Sequence, residues 1–195
     1  MSRPDSAPTR REPRSASRRG RGGVVIASLL ATLMLTSCQG VPVVSDREPA
    51  GDATVEELRE WVGGEVDAVT ELTGLDSRWR MLLELELRWP EDRERIFDRS
   101  HLPRCSTQGG GTNPAAVEVD LLSDPLEEDP VALAGKVRDH WEDAGWDISQ
   151  VGPGYYRADR ADGALMTVEG AEGAGGKLLS LTVRSACSSN PSVAH

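Results

Sequence analysis

Val117–Val151 reads VEVDLLSDPLEEDPVALAGKVRDHWEDAGWDISQV, and the changes of period inside it decide the fold class. Val117, Val119 and Leu121 alternate with Glu118 and Asp120, the period-two pattern of a strand buried on one face. SDPLEEDP, from Ser123 to Pro130, breaks that pattern with turn formers and acids. Asp129 then caps a helix whose first position is Pro130, where a missing N–H costs nothing. Leu133, Val137, Trp141 and Ala144 recur at steps of three and four, so this helix lays one stripe on a core until Gly145 stops it. Trp146–Val151 returns to strand.

The pattern extends in both directions. GPG at 152–154 is a turn, and Tyr155–Asp159 and Ala164–Glu169 flank RADG as a hairpin. A glycine-rich loop, 170–176, leads to KLLSLTVRSAC, the last strand. Upstream, Thr54 and Glu57 have the spacing of a capping box. Val55, Leu58, Trp61, Val62, Val66, Val69 and Leu72 follow as an amphipathic stripe, weakened by Gly63-Gly64 and ended by Gly74. Residues 76–99 read two ways. Leu83, Leu85, Leu87 and Trp89 alternate as a strand over 81–89 would, stopped by Pro90, yet the residue types favour helix. The expectation is an α+β fold: an antiparallel sheet of about four to five strands with two helices packed on one face. It assigns 54–188 to one domain and 189–195 to a disordered tail, with no internal repeat.

Ahead of the domain, residues 1–23 are rich in Arg, Ser and Pro and lack hydrophobic period, so no packed structure is expected there. Val24–Leu35 is an apolar run. As a helix it would be about 18 Å long, short of a hydrocarbon core of ~30 Å. These are the n- and h-regions of a signal peptide spanning 1–37. A spanning helix is the alternative, and it would place Gln39, Gly40 and Pro42 inside the bilayer. Leu35-Thr36-Ser37-Cys38 follows the run and resembles the lipobox of bacterial lipoproteins. That resemblance implies cleavage between Ser37 and Cys38 and a diacylglyceryl group, with an optional N-acyl chain such as palmitate, on Cys38. An ordinary signal peptide with an incidental cysteine is the other reading. Two acyl chains hold a protein on a membrane where one is marginal. Ser17-Arg18-Arg19 begins like a twin-arginine export signal, but Gly20, Arg21 and Gly22 depart from it, so the general secretory route is the default. Residues 38–53 carry Pro, Gly and charge without period and read as a flexible linker.

Charge divides the same way. Seven arginines against Asp5 and Glu12 give the leader +5, and the whole chain is −10, leaving −15 beyond the cut. An acidic body argues against nucleic acid as a partner and gives no electrostatic hold on an anionic lipid surface. With Cys38 lipidated, Cys105 and Cys187 are left as a pair in an oxidising compartment. A disulfide across that separation is worth about 4–5 kcal/mol at most on the chain-entropy model.

Residues that could carry chemistry are sparse. His101 and Cys105 have the spacing of half a zinc site, but no second ligand pair follows. His140 lies on a helix stripe, no serine sits in a nucleophile elbow, and GGG at 109–111 lacks the strand and lysine of a phosphate loop. Asp159–Gly163 lacks the glutamate of a calcium loop. No catalytic residue, cofactor or metal is assigned. Trp61 and Trp141 read as core, whereas Trp89 or one of the adjacent pair Tyr155 and Tyr156 is a candidate for an exposed binding surface.

The lipobox, the acidic body, HWEDAGW at 140–146 and the near-terminal TVRSAC together resemble small actinobacterial lipoproteins of the LppA-like kind. The resemblance implies a protein lipid-anchored on the extracytoplasmic face of the cell membrane and carries over no catalytic residue. Three functions stay open: a non-enzymatic binding domain, an envelope enzyme, and an accessory subunit of an envelope complex. An exposed aromatic patch or a concave sheet face would favour the first. A pocket holding His140 with a buried carboxylate would favour the second, and a large flat apolar face the third.

Overall fold

The computed structural model describes residues 51–105 and 114–193. The first helix, α1 (Val55–Thr73), begins on the capping box: the Thr54 hydroxyl accepts from the Glu57 N–H, and the Glu57 carboxylate accepts from the Thr54 N–H (2.8 Å). It ends at Gly74, as the sequence indicates. Then come β1 (Trp79–Met81), β2 (Arg88–Trp89), α2 (Arg93–Arg99), β3 (Glu118–Ser123), α3 (Pro130–Asp143), β4 (Asp147–Gly152), β5 (Tyr155–Asp159), β6 (Leu165–Gly173) and β7 (Gly176–Arg184).

All seven strands form one antiparallel sheet in the order β2-β1-β3-β7-β6-β5-β4. Period-two burial directs Val119 and Leu121 of β3, Leu179, Leu181 and Val183 of β7, and Met166 and Val168 of β6 to one face. There they meet Val62, Val66 and Val69 of α1 and Leu133, Ala134, Val137 and Trp141 of α3. Phe97 of α2 stands edge-on to Trp89 (5.7 Å) with Arg59 of α1 over its ring, which keeps α2 on the same side.

The fold class is the expected α+β, but among the described residues the sheet has seven strands where four to five were expected, and there are three helices where two were expected. The extra elements come from 76–99. The alternation there runs across a tight reversal: Glu84 N–H donates to Met81 O, Leu87 N–H to Glu84 O and Met81 N–H to Leu87 O. The predicted strand 81–89 is therefore a hairpin of two short strands, with Leu82, Leu83 and Leu85 exposed. Pro90 ends β2, and the seven-residue α2 follows it, with Ile96 and Phe97 as its only buried residues.

The glycine-rich stretch 170–176 is largely strand as well. Gly170 sits in β6 because the first turn of α3 lies directly on it: a Cβ there would come within 2.1 Å of Pro130 O. A side chain would lift the helix off the sheet.

The domain also extends past the expected bounds of 54–188. Gly51 pairs with Ser188, Asn190 Nδ2 donates to Asp52 O (2.7 Å), and Val55 N–H donates to the Ser192 hydroxyl (3.0 Å). Val193, in the segment expected to be a disordered tail, is fully buried. The side chains of Asn190 and Ser192 thus take up backbone groups at the start of the domain, and Val193 packs into the core.

Candidate binding face

The other face of the sheet has none of the three helices on it, and the register lines its side chains up in rows. One row runs Glu118, Arg184, Leu165, Asp159, Asp147 across β3, β7, β6, β5 and β4. The next runs Asp120, Thr182, Thr167, Arg157, Ser149, and a third runs Arg80, Leu122, Ser180, Glu169, Tyr155.

Charge on this face is arranged in local pairs. Arg184 lies 3.9 Å from Glu118, Arg157 grips Asp159 through two hydrogen bonds (2.6 and 2.8 Å), and the Thr182 hydroxyl donates to Asp120 (2.6 Å). Asp124 takes Arg80 on one oxygen and Arg88 on the other (3.1 Å). The Arg80 hydrogen bond is the main reason its carboxyl is held below the usual range. Glu118 is pushed the other way: burial raises it, Asp120 adds to the rise, and Arg184 and His101 only partly offset it. Beside these pairs, Leu122, Leu178 and Ala171 with Ser180 and Glu169 form a shallow depression of about 220 Å³. Strand backbones position most of these groups, so the face presents ordered charge pairs, hydroxyls and a small apolar patch.

A second cluster lies where α1, α3 and the β5–β6 turn converge. The Arg160 guanidinium lies over both Trp61 (4.8 Å) and Trp146 (5.0 Å), whose rings are 6.2 Å apart, and its Nε donates to Asp162 (2.8 Å). Glu65, one turn after Trp61, is half-buried. Burial raises its carboxyl above the usual range, while Arg160 and His140 pull it back. His140 itself is exposed. The adjacent depression is lined by Gly145, Asp147, Asp159, Arg160 and Ala161 rather than by Glu65 or His140. That depression holds neither the Glu65 carboxylate nor the His140 imidazole.

Cys105 and Cys187 are joined by a disulfide, with Cα atoms 6.1 Å apart, so Cys105 is committed to that bond and His101 instead pairs its backbone with Glu118. Ser37 and Cys38 lie outside the described residues. Of the aromatic candidates, Trp89 is fully buried, which removes it from any surface. The adjacent tyrosines divide as their alternation dictates, Tyr156 into the core and Tyr155 toward the open face. Trp141 is core, and Trp61 is packed against the core while partly exposed under Arg160. Among the described residues, no three His, Cys, Asp or Glu side chains are grouped to hold a metal, and no helix is long and apolar enough to cross a membrane.

The sequence reading did not single out Ser180, Thr182 or Thr167. Their signal was available, since Leu179, Leu181 and Val183 alternate with Ser180, Thr182 and Arg184 and so mark β7 as two-faced. Comparison with protein-family models, with curated proteins and with solved structures found no match to this chain.

Proposed function

We propose that this chain is a lipid-tethered domain on the extracytoplasmic face of the cell membrane that binds an envelope partner on the open face of its sheet, without chemistry. The observation that carries the proposal is that face itself: five strands' worth of ordered polar and apolar side chains with none of the three helices of the described residues over them. The disulfide supports the compartment, because such bonds persist where the surroundings are oxidising. The lipobox at Leu35–Cys38 supports the tether.

The test is a photoreactive amino acid placed at Thr182, compared with one at Glu71 on the exposed side of α1, in cells expressing the protein. The proposal expects a discrete adduct from position 182 and none from 71. Equal labelling from both, or none from 182, would contradict it.

The competing reading, an envelope enzyme, draws on the raised Glu65 beside His140. A substrate turned over by the protein and lost in Glu65→Gln would favour that reading.

A further inference from the structure

The chain enters the described fold at a fixed place. Ser189 N–H donates to Gly51 O (3.2 Å), the Ser188 hydroxyl to Ala53 O (2.6 Å) and Asn190 Nδ2 to Asp52 O (2.7 Å). Ser188 is in turn bonded to Ala115 in both directions and follows the disulfide-linked Cys187. This clasp lies just past the Glu118 end of β3 and the Arg184 end of β7.

The loop between β1 and β2 opens toward the same end. Met81 pairs with Leu121, Leu82 N–H donates to Asp120 O (3.0 Å), and the loop then continues in the direction of Glu118. It presents Leu82, Leu83 and Leu85 at 46%, 66% and 48% exposure. Glu84 between them is drawn toward Arg99 (3.7 Å). The β6–β7 turn at Ala174-Gly175 marks the opposite end of the sheet.

We infer that Leu82, Leu83 and Leu85 make a second, apolar contact with the bilayer that carries Cys38. The inference rests on the lipid-anchor reading above. Twelve residues, 39–50, separate Cys38 from Gly51. That length reaches at most about 40 Å fully extended and spans roughly 20 Å as a coil. The clasped end is therefore held close to the membrane, at a high effective concentration that lets a weak apolar contact form. Charge does not drive it, since the body is acidic and an anionic surface repels it. The leucines enter the boundary between headgroups and acyl chains by burying their apolar surface alone.

The test uses the mature lipidated protein on phosphatidylcholine vesicles, with an environment-sensitive fluorophore attached at Leu83→Cys and, separately, at Ala174→Cys. The native cysteines are occupied, so each new thiol is unique. Brominated acyl chains should quench the probe at 83 and leave the probe at 174 unaffected. Adding Leu82→Ser and Leu85→Ser should abolish quenching at 83 while the protein still floats with the vesicles. A floating protein whose position 83 is unquenched overturns the inference and leaves the anchor standing. A blue-shifted but unquenched probe shows that the leucines face protein, a second copy or another partner, and also overturns it. A protein that does not float overturns the anchor reading, and this inference with it.

Discussion

Gly63 and Gly64 are adjacent in the middle of α1, yet alanine at the two positions should have different consequences. At Gly64 a Cβ would meet nothing within 4 Å. Gly64→Ala should therefore stabilise the helix by about 0.8–1 kcal/mol, the ordinary difference in propensity. At Gly63 the same methyl would lie 1.7 Å from Arg93 Nη2. Arg93 crosses α1 there to bond Asp67 (2.9 Å), with its guanidinium over Trp89 (4.9 Å) and Phe97 (5.8 Å).

The arginine can swing away, but it then loses those contacts. A partly exposed ion pair is worth about 0.2–1 kcal/mol and the cation–π contact about 0.5–1 kcal/mol, so the loss is about 1–2 kcal/mol. Gly63→Ala should come out near neutral or destabilising, and less stable than Gly64→Ala by about 1–2 kcal/mol. Urea unfolding followed by tryptophan fluorescence measures both variants. In an Arg93→Ala background the two substitutions should become equally stabilising, because the obstruction is gone. Equal gains from both variants in the wild-type background would refute the claim that Gly63 is there to seat Arg93.

Thr54→Ala removes the side-chain half of the capping box and should cost about 1 kcal/mol in the same unfolding experiment. Cys105→Ser with Cys187→Ser opens a loop of sequence separation 82 and should lower stability by up to about 4–5 kcal/mol; a change well under 2 kcal/mol would mean that the bond constrains little. Glu65→Gln should stabilise at neutral pH, because burial raises the Glu65 carboxyl in the folded state and its charge is costly there. That gain should fade as pH falls toward and below its ordinary value of 4.5, where the wild type takes up the proton itself. Asp124→Asn should do the reverse. Its carboxyl is held low by Arg80, so the substitution destabilises at neutral pH and the deficit closes only as pH falls below the ordinary 3.8. Unfolding curves at a series of pH values test both signs together.

The parts of the fold that could be read from sequence are those where local chemistry and packing agree. The Thr54–Glu57 box, the Asp129-Pro130 start and the RADG hairpin each satisfy backbone groups with neighbours in the chain, so spacing alone identifies them. The misread segments turn on which contacts form and not on period alone. The alternation over 81–89 has the right period for a strand, but its middle is a reversal held by Met81, Glu84 and Leu87, and nothing local announces that Leu82, Leu83 and Leu85 stay exposed. Helix α2 has no side-chain cap bond at Asp92 and persists through the packing of Phe97 against Trp89. Gly170 looks like loop until α3 is seen lying on it, and Gly63 looks like a flaw until Arg93 is placed.

The candidate face was legible only as the polar half of each strand's alternation. Which polar residues meet, such as Thr182 with Asp120 or Arg184 with Glu118, follows from pairings more than sixty residues apart.

The tether at Cys38 is tested most directly by the intact mass and N-terminal peptide of the mature protein recovered from the membrane fraction of expressing cells. A lipid-anchored chain should begin at Cys38, carry a diacylglyceryl group on the sulfur, and move to the soluble fraction or stay uncleaved in Cys38→Ala. A mature chain with a free Cys38 thiol, or one that retains residues 1–37 with native membrane association, would contradict the tether.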